Sequence, residues 1–487
     1  MSGSDWPYRS ATEQIAALAA NEVSSVELTD AAIARIEALD PKINAVVVRD
    51  FERAREAAGA ADAALARGER RPLLGLPMTV KESFNIAGLA TSWGQPRFKD
   101  WRPAEDALAV ERLKTAGAVI LGKTNVPLML ADWQSYNDIF GTTKNPWDLT
   151  RTPGGSSGGS AAALASGYIP LELGSDIGGS LRAPAHYCGI YAHKPTLDLV
   201  PQRGGGPPET PAIPARGEFA VTGPMARSAA DLALELEVIA GPDPLLDGIG
   251  YRLALPAATH ARLADYRVLV MDRHPLVPTA HCITAALDTL SESLVRAGCR
   301  VMRDSPFLPD LVVTTQLYSE LLMAFFSADM APEERARAAT AAAALAPDDR
   351  SLAACRRRGM ALTHADWLQA WRRRTALQRR WQRLFDEFDV LLCPVMPTTA
   401  FAHDHSPHLQ RRLAVDGVEM SYQDQIAWIA AATLAGLPAT VAPIGRSSEG
   451  LPIGVQIVGG WLRDRTTIGF AGLIEREFGG FVPPPLD

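Results

Sequence analysis

Two glycine-rich loops that each carry a serine are the parts of the sequence best suited to covalent chemistry. One loop covers residues 154–160 and contains Ser156, and the other covers residues 176–182 and contains Ser180. Glycine allows unusual dihedral angles and a close approach of the backbone. The consecutive N–H groups that can converge on one point belong to Ile177, Gly178, Gly179 and Ser180. Such a nest binds the oxyanion of a tetrahedral intermediate, and Ser180 is placed to attack the carbonyl group concerned.

A serine hydroxyl needs a base, and Lys81 is the candidate. It directly follows the apolar run 76–80, which predicts a buried strand. Lysine is almost never fully buried without a partner. In Ser–Lys variants of the serine triad, a neutral lysine takes the place of histidine. The pattern therefore predicts a nucleophilic serine served by Lys81, and a solvated surface lysine is the alternative.

Helical and strand patterns alternate along most of the chain. Helices are predicted at 10–40, 51–67, 107–116, 160–166 and 228–240. Strands are predicted at 43–49, 76–80, 118–122, 169–174, 266–270, 389–393 and 452–458. This alternation predicts an α/β fold, with one large domain and a mostly helical stretch at 310–388. The arginine-dense part at 371–383 also has an apolar helical face, so its arginines are expected to face solvent and not nucleic acid.

Composition excludes several classes of protein. The 487 residues are 47% hydrophobic, which is enough for a large core. A net charge of −7 without a long basic block argues against a nucleic-acid partner. The first residues lack the regions of a secretory signal, and no apolar run reaches the length of a membrane span, so a cytoplasmic protein is expected. The five cysteines form no C-x-x-C pair, which indicates reduced thiols and no metal site.

Taken as a whole, the chain resembles the amidase signature family. The segments that carry the resemblance are 77–82, 122–125, 154–163, 175–184, 222–227 and 451–456. The resemblance extends from about residue 10 to about residue 475. It implies the amidase signature fold, which is a central twisted mixed β-sheet covered by helices on both faces. It also implies a single domain over 1–487, with a signature core at about 70–230 and a helical, substrate-facing insertion at about 300–390.

The family's Ser–cis-Ser–Lys triad matches three residues of this sequence. The resemblance implies that Ser180 is the acylated nucleophile, that Ser156 follows a cis peptide bond and relays a proton, and that Lys81 is the base. The implied reaction is hydrolysis of a carboxylic acid amide. Aryl or hydrophobic amides, and also esters, are the candidate substrates. The resemblance implies that no metal or organic cofactor is needed. The expected partners are a small-molecule amide and water, with no nucleic acid and no membrane, and a homodimer is left open.

Two segments are expected to shape the substrate pocket. One lies between the lysine and serine loops, and the other is the aromatic, apolar stretch 317–326. The predicted substrate contacts are Met129, Leu130, Asp132, Trp133, Tyr318 and Leu322. They predict an apolar acyl or aryl pocket, and ordinary core packing is the alternative for 317–326. The stretch 192–198 departs from the family's usual Gly-Leu-Lys-Pro-Thr pattern, which weakens inferences about the substrate drawn from well-known relatives.

Two other functions fit parts of the pattern. Residues 154–158 match the nucleophile elbow of α/β-hydrolases, which would make Ser156 the nucleophile of an esterase. That motif must follow a strand, whereas 146–153 predicts a loop. The second function is that of the amidotransferase's A subunit, a partner in tRNA-dependent amidation with the same fold and triad. Such proteins usually have Thr in place of Ile177 and Gln in place of Ala183.

Overall fold

A large mixed sheet forms the centre of the computed structural model, which describes residues 6–214 and 217–486. The ends of the predicted 1–487 domain, and residues 215–216 of the predicted signature core, lie outside the described residues. The strands are β1 (Val46–Arg49), β2 (Pro77–Lys81), β3 (Val119–Thr124), β4 (Tyr136–Asn137), β5 (Gly141–Thr142), β6 (Leu171–Asp176), β7 (Tyr191–Lys194), β8 (Val221–Ala226), β9 (Arg267–Val270), β10 (Arg300–Met302), β11 (Val390–Pro394), β12 (Arg412–Val415), β13 (Val418–Ser421), β14 (Ala439–Arg446) and β15 (Pro452–Val458).

The order of the strands puts the lysine-bearing strand between two parallel neighbours. The eleven strands of the central sheet lie in the order β1-β3-β2-β6-β8-β7-β14-β15-β11-β9-β10. β2 runs parallel to β3 and to β6, and β9 runs parallel to β10 and to β11, while the remaining pairs are antiparallel. Because parallel strands end at the same edge, the ends of β2 and β6 bring Lys81 and Asp176 together at one edge.

Helices surround this sheet. They are α1 (Ala11–Ala19), α2 (Ser25–Ile43), α3 (Phe51–Ala66), α4 (Leu108–Thr115), α5 (Gly158–Ala165), α6 (Arg182–Cys188), α7 (Ala229–Ile239), α8 (His281–Arg296), α9 (Leu311–Phe326), α10 (Pro332–Ala343), α11 (Leu352–Gly359), α12 (His364–Glu387), α13 (Ala427–Ala435) and α14 (Asp464–Phe478). Along 6–214 and 217–486, no helix combines the length and the apolar character that crossing a membrane requires.

The alternation of side chains along β3 shows that both faces of the sheet are covered. Ile120 packs in the cluster that includes Val110 of α4, whereas Val119 and Leu121 pack in the cluster that includes Ile36 of α2. Successive side chains of a strand point to opposite faces, so each cluster is the core of one face. The predicted α/β architecture, with a mixed central sheet between helical layers, is confirmed.

Two predicted boundaries differ from the structure. The strand predicted at 43–49 begins only at Val46, because α2 continues to Ile43. Asn44 ends that helix in the left-handed conformation, with φ of 61°, and the Asp40 carboxylate accepts the N–H groups of Ala45 and Val46. The helical insertion predicted at about 300–390 is narrower, since helices α9 to α12 cover 311–387 and β10 belongs to the central sheet.

A buried carboxylate joins the last helix to the middle of the sheet. Asp464, at the start of α14, accepts the N–H and the hydroxyl of Thr196 at 2.7 and 2.6 Å. Its Oδ1 also lies 3.0 Å from Nε2 of His193 on β7. All three residues are fully buried. His193, in the stretch that departs from the family pattern, therefore has a structural partner.

We expect Asp464→Ala to lower the free energy of unfolding by about 3 kcal/mol or more. Each buried donor that loses its acceptor costs about 1–3 kcal/mol, and Thr196 and His193 would lose theirs together. Urea denaturation followed by circular dichroism measures this change. Asp304→Ala, at an exposed position, is the control and should stay within about 0.5 kcal/mol of the wild type. Equal midpoints for the two variants would contradict the role of Asp464.

Candidate active site

Lys81 is the last residue of β2 and lies at the centre of the candidate site. Every residue of β2 is buried, and the Lys81 side chain has no solvent exposure. Its Nζ donates to the hydroxyl of Ser156 at 2.6 Å and to the hydroxyl of Ser175 at 2.9 Å. Both acceptors are uncharged hydroxyl groups, and neither of these two hydrogen bonds joins the amine to a carboxylate. Ser175 was not predicted to belong to the site. Its position directly before Asp176, the first residue of the second serine loop, could have indicated it.

Burial changes the protonation of this lysine. Loss of solvent lowers the pKa of Lys81 from 10.5 to about 7, against the smaller opposing effects of the Asp176 and Glu172 charges. Desolvation disfavours the charged amine, whereas nearby carboxylates favour it. Near neutral pH a large share of the lysine is therefore uncharged. An uncharged amine beside a hydroxyl can accept a proton, as the base of a serine nucleophile must.

A buried ion pair shapes the loop after β6. Arg182 donates to both oxygens of Asp176, at 2.9 Å from Nη2 and 3.0 Å from Nε, and neither side chain is exposed. Burial alone would raise the pKa of Asp176, but Arg182 outweighs it and lowers that pKa to about 2. The Asp176 carboxylate also accepts the N–H groups of Gly179 and Leu181, at 2.9 and 3.1 Å. The turn between strand and helix is thus built around one carboxylate that is charged at neutral pH.

The loop that carries Ser156 is packed too tightly for a larger residue beside it. The Gly155–Ser156 peptide bond is cis, as the family resemblance implies. A Cβ at Gly155 would overlap the carbonyl oxygen of Asp132 and approach the backbone nitrogen of Gln134 to 2.8 Å. The segment at 132–134 therefore lies directly against the serine loop. Ser156 itself is buried, with its hydroxyl on Lys81.

Ser180 is joined to the other loop through the backbone. Its carbonyl accepts the N–H of Ser157 at 3.2 Å, and its side chain is nearly buried. Within 6–214 and 217–486, the Ser180 hydroxyl has no hydrogen bond to Ser156. The structure therefore brings Lys81 and Ser156 into direct contact and sets Ser180 beside them on the neighbouring loop.

Of the four N–H groups predicted to form the oxyanion nest, one is hydrogen-bonded within the described part of the protein and three are not. The N–H of Gly179 donates to Asp176. Among the described residues, no protein acceptor is found for the N–H groups of Ile177, Gly178 and Ser180. Three of the four predicted donors therefore remain free for an anion. The fourth is committed to Asp176, because the carboxylate caps the turn.

Three predicted substrate contacts have their polar atoms bound to protein. Trp133 donates its indole N–H to the Gly178 carbonyl at 2.8 Å. The fully buried Tyr318 donates its hydroxyl to the Ile177 carbonyl. Asp132 accepts from Arg411, Tyr422 and His408 at 2.6, 2.6 and 2.9 Å. The carboxylate of Asp132 and the hydroxyl of Tyr318 therefore support the loops through these bonds, and their contact with a substrate stays a prediction.

The other predicted contacts lie at two places. Met129 and Leu130 are half-buried and adopt left-handed backbone angles, with φ of 51° and 59°. The N–H of Met129 donates to the carbonyl of Trp93 at 2.7 Å, and Trp93 is also left-handed, with φ of 55°. Non-glycine residues in this region cluster at functional sites. Trp93 was not predicted from the sequence, since its neighbours in sequence contain no motif. Leu322 is buried in α9.

The two buried histidines that follow the serine loops do not belong to this site. His186 accepts the N–H of Gly454 at Nδ1, 2.8 Å away, and burial lowers its pKa to about 4. His193 is held by Asp464, as described above. In the part of the chain that the structure describes, no three His, Cys, Asp or Glu side chains are grouped to hold a metal ion.

Comparison with known proteins finds relatives that match nearly the whole chain. The family model described as Amidase matches residues 27–468. The A subunit of glutamyl-tRNA(Gln) amidotransferase from Roseiflexus castenholzii is 37% identical, over 91% of this chain and 90% of that protein. A solved protein from a vestigial complex that reveals the origins of an s-triazine catabolic enzyme has a TM-score of 0.80 at 30% identity, covering 98% of this chain and 100% of that one.

A bacterial aryl acylamidase of the amidase signature family shares the fold. Its TM-score is 0.80 at 24% identity, covering 98% of this chain and 97% of that one. The family match spans the central sheet, both serine loops and the lysine strand. The chain therefore belongs to the amidase signature family of hydrolases.

Proposed function

We propose that this chain hydrolyses a carboxylic acid amide through an acyl-enzyme on Ser180. The observation that carries the proposal is the 2.6 Å contact between Lys81 Nζ and Ser156 Oγ, made by a lysine whose pKa is lowered to about 7 by burial. A lysine in that state is a base at neutral pH, and Ser156 connects it to the loop of Ser180. The free N–H groups beside Ser180 supply the anion site that acyl transfer requires.

The mechanism uses one proton relay in two directions. Ser180 Oγ attacks the amide carbon as its proton passes to Ser156 Oγ, and the proton of Ser156 passes to neutral Lys81. The carbonyl oxygen becomes an oxyanion that the N–H groups of Ile177, Gly178 and Ser180 can bind. The relay then returns a proton to the leaving nitrogen as the C–N bond breaks. Water attacks the resulting ester in the same way and releases the acid.

We propose that the protein recognises its substrate by an apolar or aryl acyl group. The half-buried side chains near the loops are Met129, Leu130, Trp133 and Ile177, and none of them is charged. The nearest carboxylate on that segment, Asp132, is already neutralised by Arg411. A charged or strongly polar acyl group would therefore lose its water without gaining a partner.

The second candidate is the role of the A subunit of a tRNA-dependent amidotransferase. The relative with 37% identity favours it, because that protein is the A subunit of such an enzyme. Ile177 and Ala183 favour hydrolysis, since those proteins usually have Thr and Gln at these positions. Both reactions start from an amide and an acyl-enzyme, so the substrate separates them.

Purified chain alone should turn over apolar or aryl amides in preference to glutamine. We expect kcat/KM for an aryl anilide to exceed that for glutamine at least about tenfold, because each well-matched apolar contact adds about 1–3 kcal/mol of discrimination. A panel measures this through the release of ammonia from primary amides, aniline from anilides and alcohol from esters. If glutamine alone were hydrolysed, or turnover required a second protein, the amidotransferase role would replace this proposal.

Ser180→Ala should abolish acylation while leaving the fold intact. Loss of a nucleophilic serine costs about 10⁴-fold or more in rate, because only binding and electrostatic stabilisation remain. A labelled fluorophosphonate followed by peptide mass analysis should mark Ser180 in the wild type and nothing in the variant. Ser166→Ala is the matched control, since Ser166 is a buried serine that lies outside both serine loops. A label on Ser156 would instead support the elbow mechanism.

The rate should fall on the acid side of pH 7. A base acts only when deprotonated, so protonation of Lys81 below its pKa of about 7 should reduce kcat/KM about tenfold per pH unit. Lys81→Arg should be inactive across this range, because a guanidinium stays protonated. The measurement is a pH profile of kcat/KM for an amide that the wild type hydrolyses.

Glu172 needs a separate control, because burial raises its pKa to about 7 as well. In Glu172→Gln the acid limb should persist and move to lower pH, since the Glu172 charge raises the pKa of Lys81. Loss of the limb in this variant, with activity retained at low pH, would assign the titration to Glu172 and contradict the role of Lys81.

A further inference from the structure

Two backbone carbonyls of the loop 176–180 are held by side chains from distant parts of the chain. Tyr318 of α9 donates its hydroxyl to the carbonyl of Ile177. Trp133 donates its indole N–H to the next carbonyl, that of Gly178, at 2.8 Å. In a trans peptide unit the C=O and the following N–H point in opposite directions in one plane. Each side chain therefore sets the direction of an amide N–H as well as a carbonyl.

The two peptide units differ in how firmly they are held. The unit between Gly178 and Gly179 is fixed from both sides, because Trp133 holds its carbonyl and Asp176 accepts its N–H at 2.9 Å. In the unit between Ile177 and Gly178, no protein acceptor for the N–H is found in the described ranges. Packing does not restrain Gly178 either, since a Cβ there would meet no atom within 4 Å. The Tyr318 hydroxyl is thus the polar contact that orients this unit.

Tyr318 is well placed to hold a fixed direction. Its side chain is fully buried, and its ring meets Phe219 edge-on at 5.8 Å between centroids. Burial raises the pKa of Tyr318 well above its usual range, so the hydroxyl remains a donor. The helix that carries it belongs to the insertion between β10 and β11 and not to the segments that form the triad.

Resting on the proposed hydrolysis at Ser180, we propose that Tyr318 is a positioning residue of the oxyanion site. Its hydroxyl holds the Ile177 carbonyl so that the Gly178 N–H points at the oxygen of the substrate carbonyl. Without that contact the peptide unit is free to rotate, and water competes for the Ile177 carbonyl. The loss falls on the transition state, because the hydrogen bond to the substrate oxygen strengthens as negative charge develops there.

The kinetic signature of this role is specific. Removal of one oxyanion donor lowers kcat by about 100- to 1000-fold, and a misdirected donor should lose part of this. For Tyr318→Phe we expect a fall in kcat of about 10- to 100-fold with KM changed less than about threefold. An interaction made only in the transition state lowers kcat and kcat/KM together.

Two inhibitors test the same point without turnover. A trifluoromethyl ketone with the substrate's acyl group accepts Ser180 Oγ at its carbonyl carbon, forming a C–O bond and leaving an oxyanion, while the serine proton goes through Ser156 to Lys81. The matching secondary alcohol fills the same pocket without forming an oxyanion. Tyr318→Phe should weaken the ketone about 10- to 100-fold and leave the alcohol unchanged.

Two further variants complete the experiment. Tyr191→Phe is the matched control, because Tyr191 is fully buried and its hydroxyl has no hydrogen-bond partner among the described residues. It should retain the kcat and both inhibitor affinities of the wild type. Replacement of Tyr318 by 4-aminophenylalanine restores a donor at the same place and should recover most of the lost kcat.

The outcomes separate this proposal from the proposed function. Wild-type kcat and ketone affinity in Tyr318→Phe would overturn the role of Tyr318 and leave hydrolysis intact. Equal weakening of ketone and alcohol would also overturn it, since Tyr318 would then act on binding of the acyl group. A wild type that hydrolyses no amide and forms no ketone adduct would overturn the proposed function itself, and the role of Tyr318 with it.

Discussion

The rest of the site depends on the removal of one lysine from water. Lys81 ends a strand whose residues are all buried and which lies between two parallel neighbours, so no solvent reaches its amine. Its contacts there are hydroxyls of Ser156 and Ser175. A carboxylate in direct contact would keep the amine charged and unable to act as a base. The two nearest acids are instead engaged elsewhere, Asp176 with Arg182 and Glu172 with the hydroxyls of Thr124 and Ser160.

This arrangement makes Arg182 as important to the lysine as to its own partner. A buried carboxylate without a counterion would raise the pKa of Lys81 and would itself be costly. Arg182 is in turn held by Gln456 on β15 at 2.7 Å and by Thr433 on α13 at 2.7 Å. The loop of Ser180 is therefore anchored to strands and helices of the last part of the chain. The electrostatics of the site are complete only when that part has folded onto the sheet.

Sequence patterns predicted the parts of the site that are local. The lysine follows its own apolar strand and each serine has its glycines beside it, so the order of residues indicated Lys81 and Ser180 as candidates, whereas the relay role of Ser156 was implied by the family resemblance. The role of Asp132 was not predictable in this way, since its partners Arg411 and Tyr422 are nearly three hundred residues away in sequence. The hydrogen bond of Tyr318 to the loop was not predictable for the same reason. An aromatic helix face predicts burial, but the carbonyl that its hydroxyl meets is decided by tertiary packing.

The candidate site combines residues that are close in sequence with a donor from a distant helix. In the proposed mechanism the groups that move protons lie on β2 and the two serine loops, and Tyr318 of the helical insertion contacts one of these loops at the backbone carbonyl of Ile177. A carbonyl accepts a hydrogen bond whatever side chain its residue carries. The side chain at position 177 can therefore change in sequence without loss of this contact, whereas the donor, the hydroxyl of Tyr318, cannot. In the proposed hydrolysis, the chemistry depends on the desolvated lysine, and the contact from α9 serves to orient the loop.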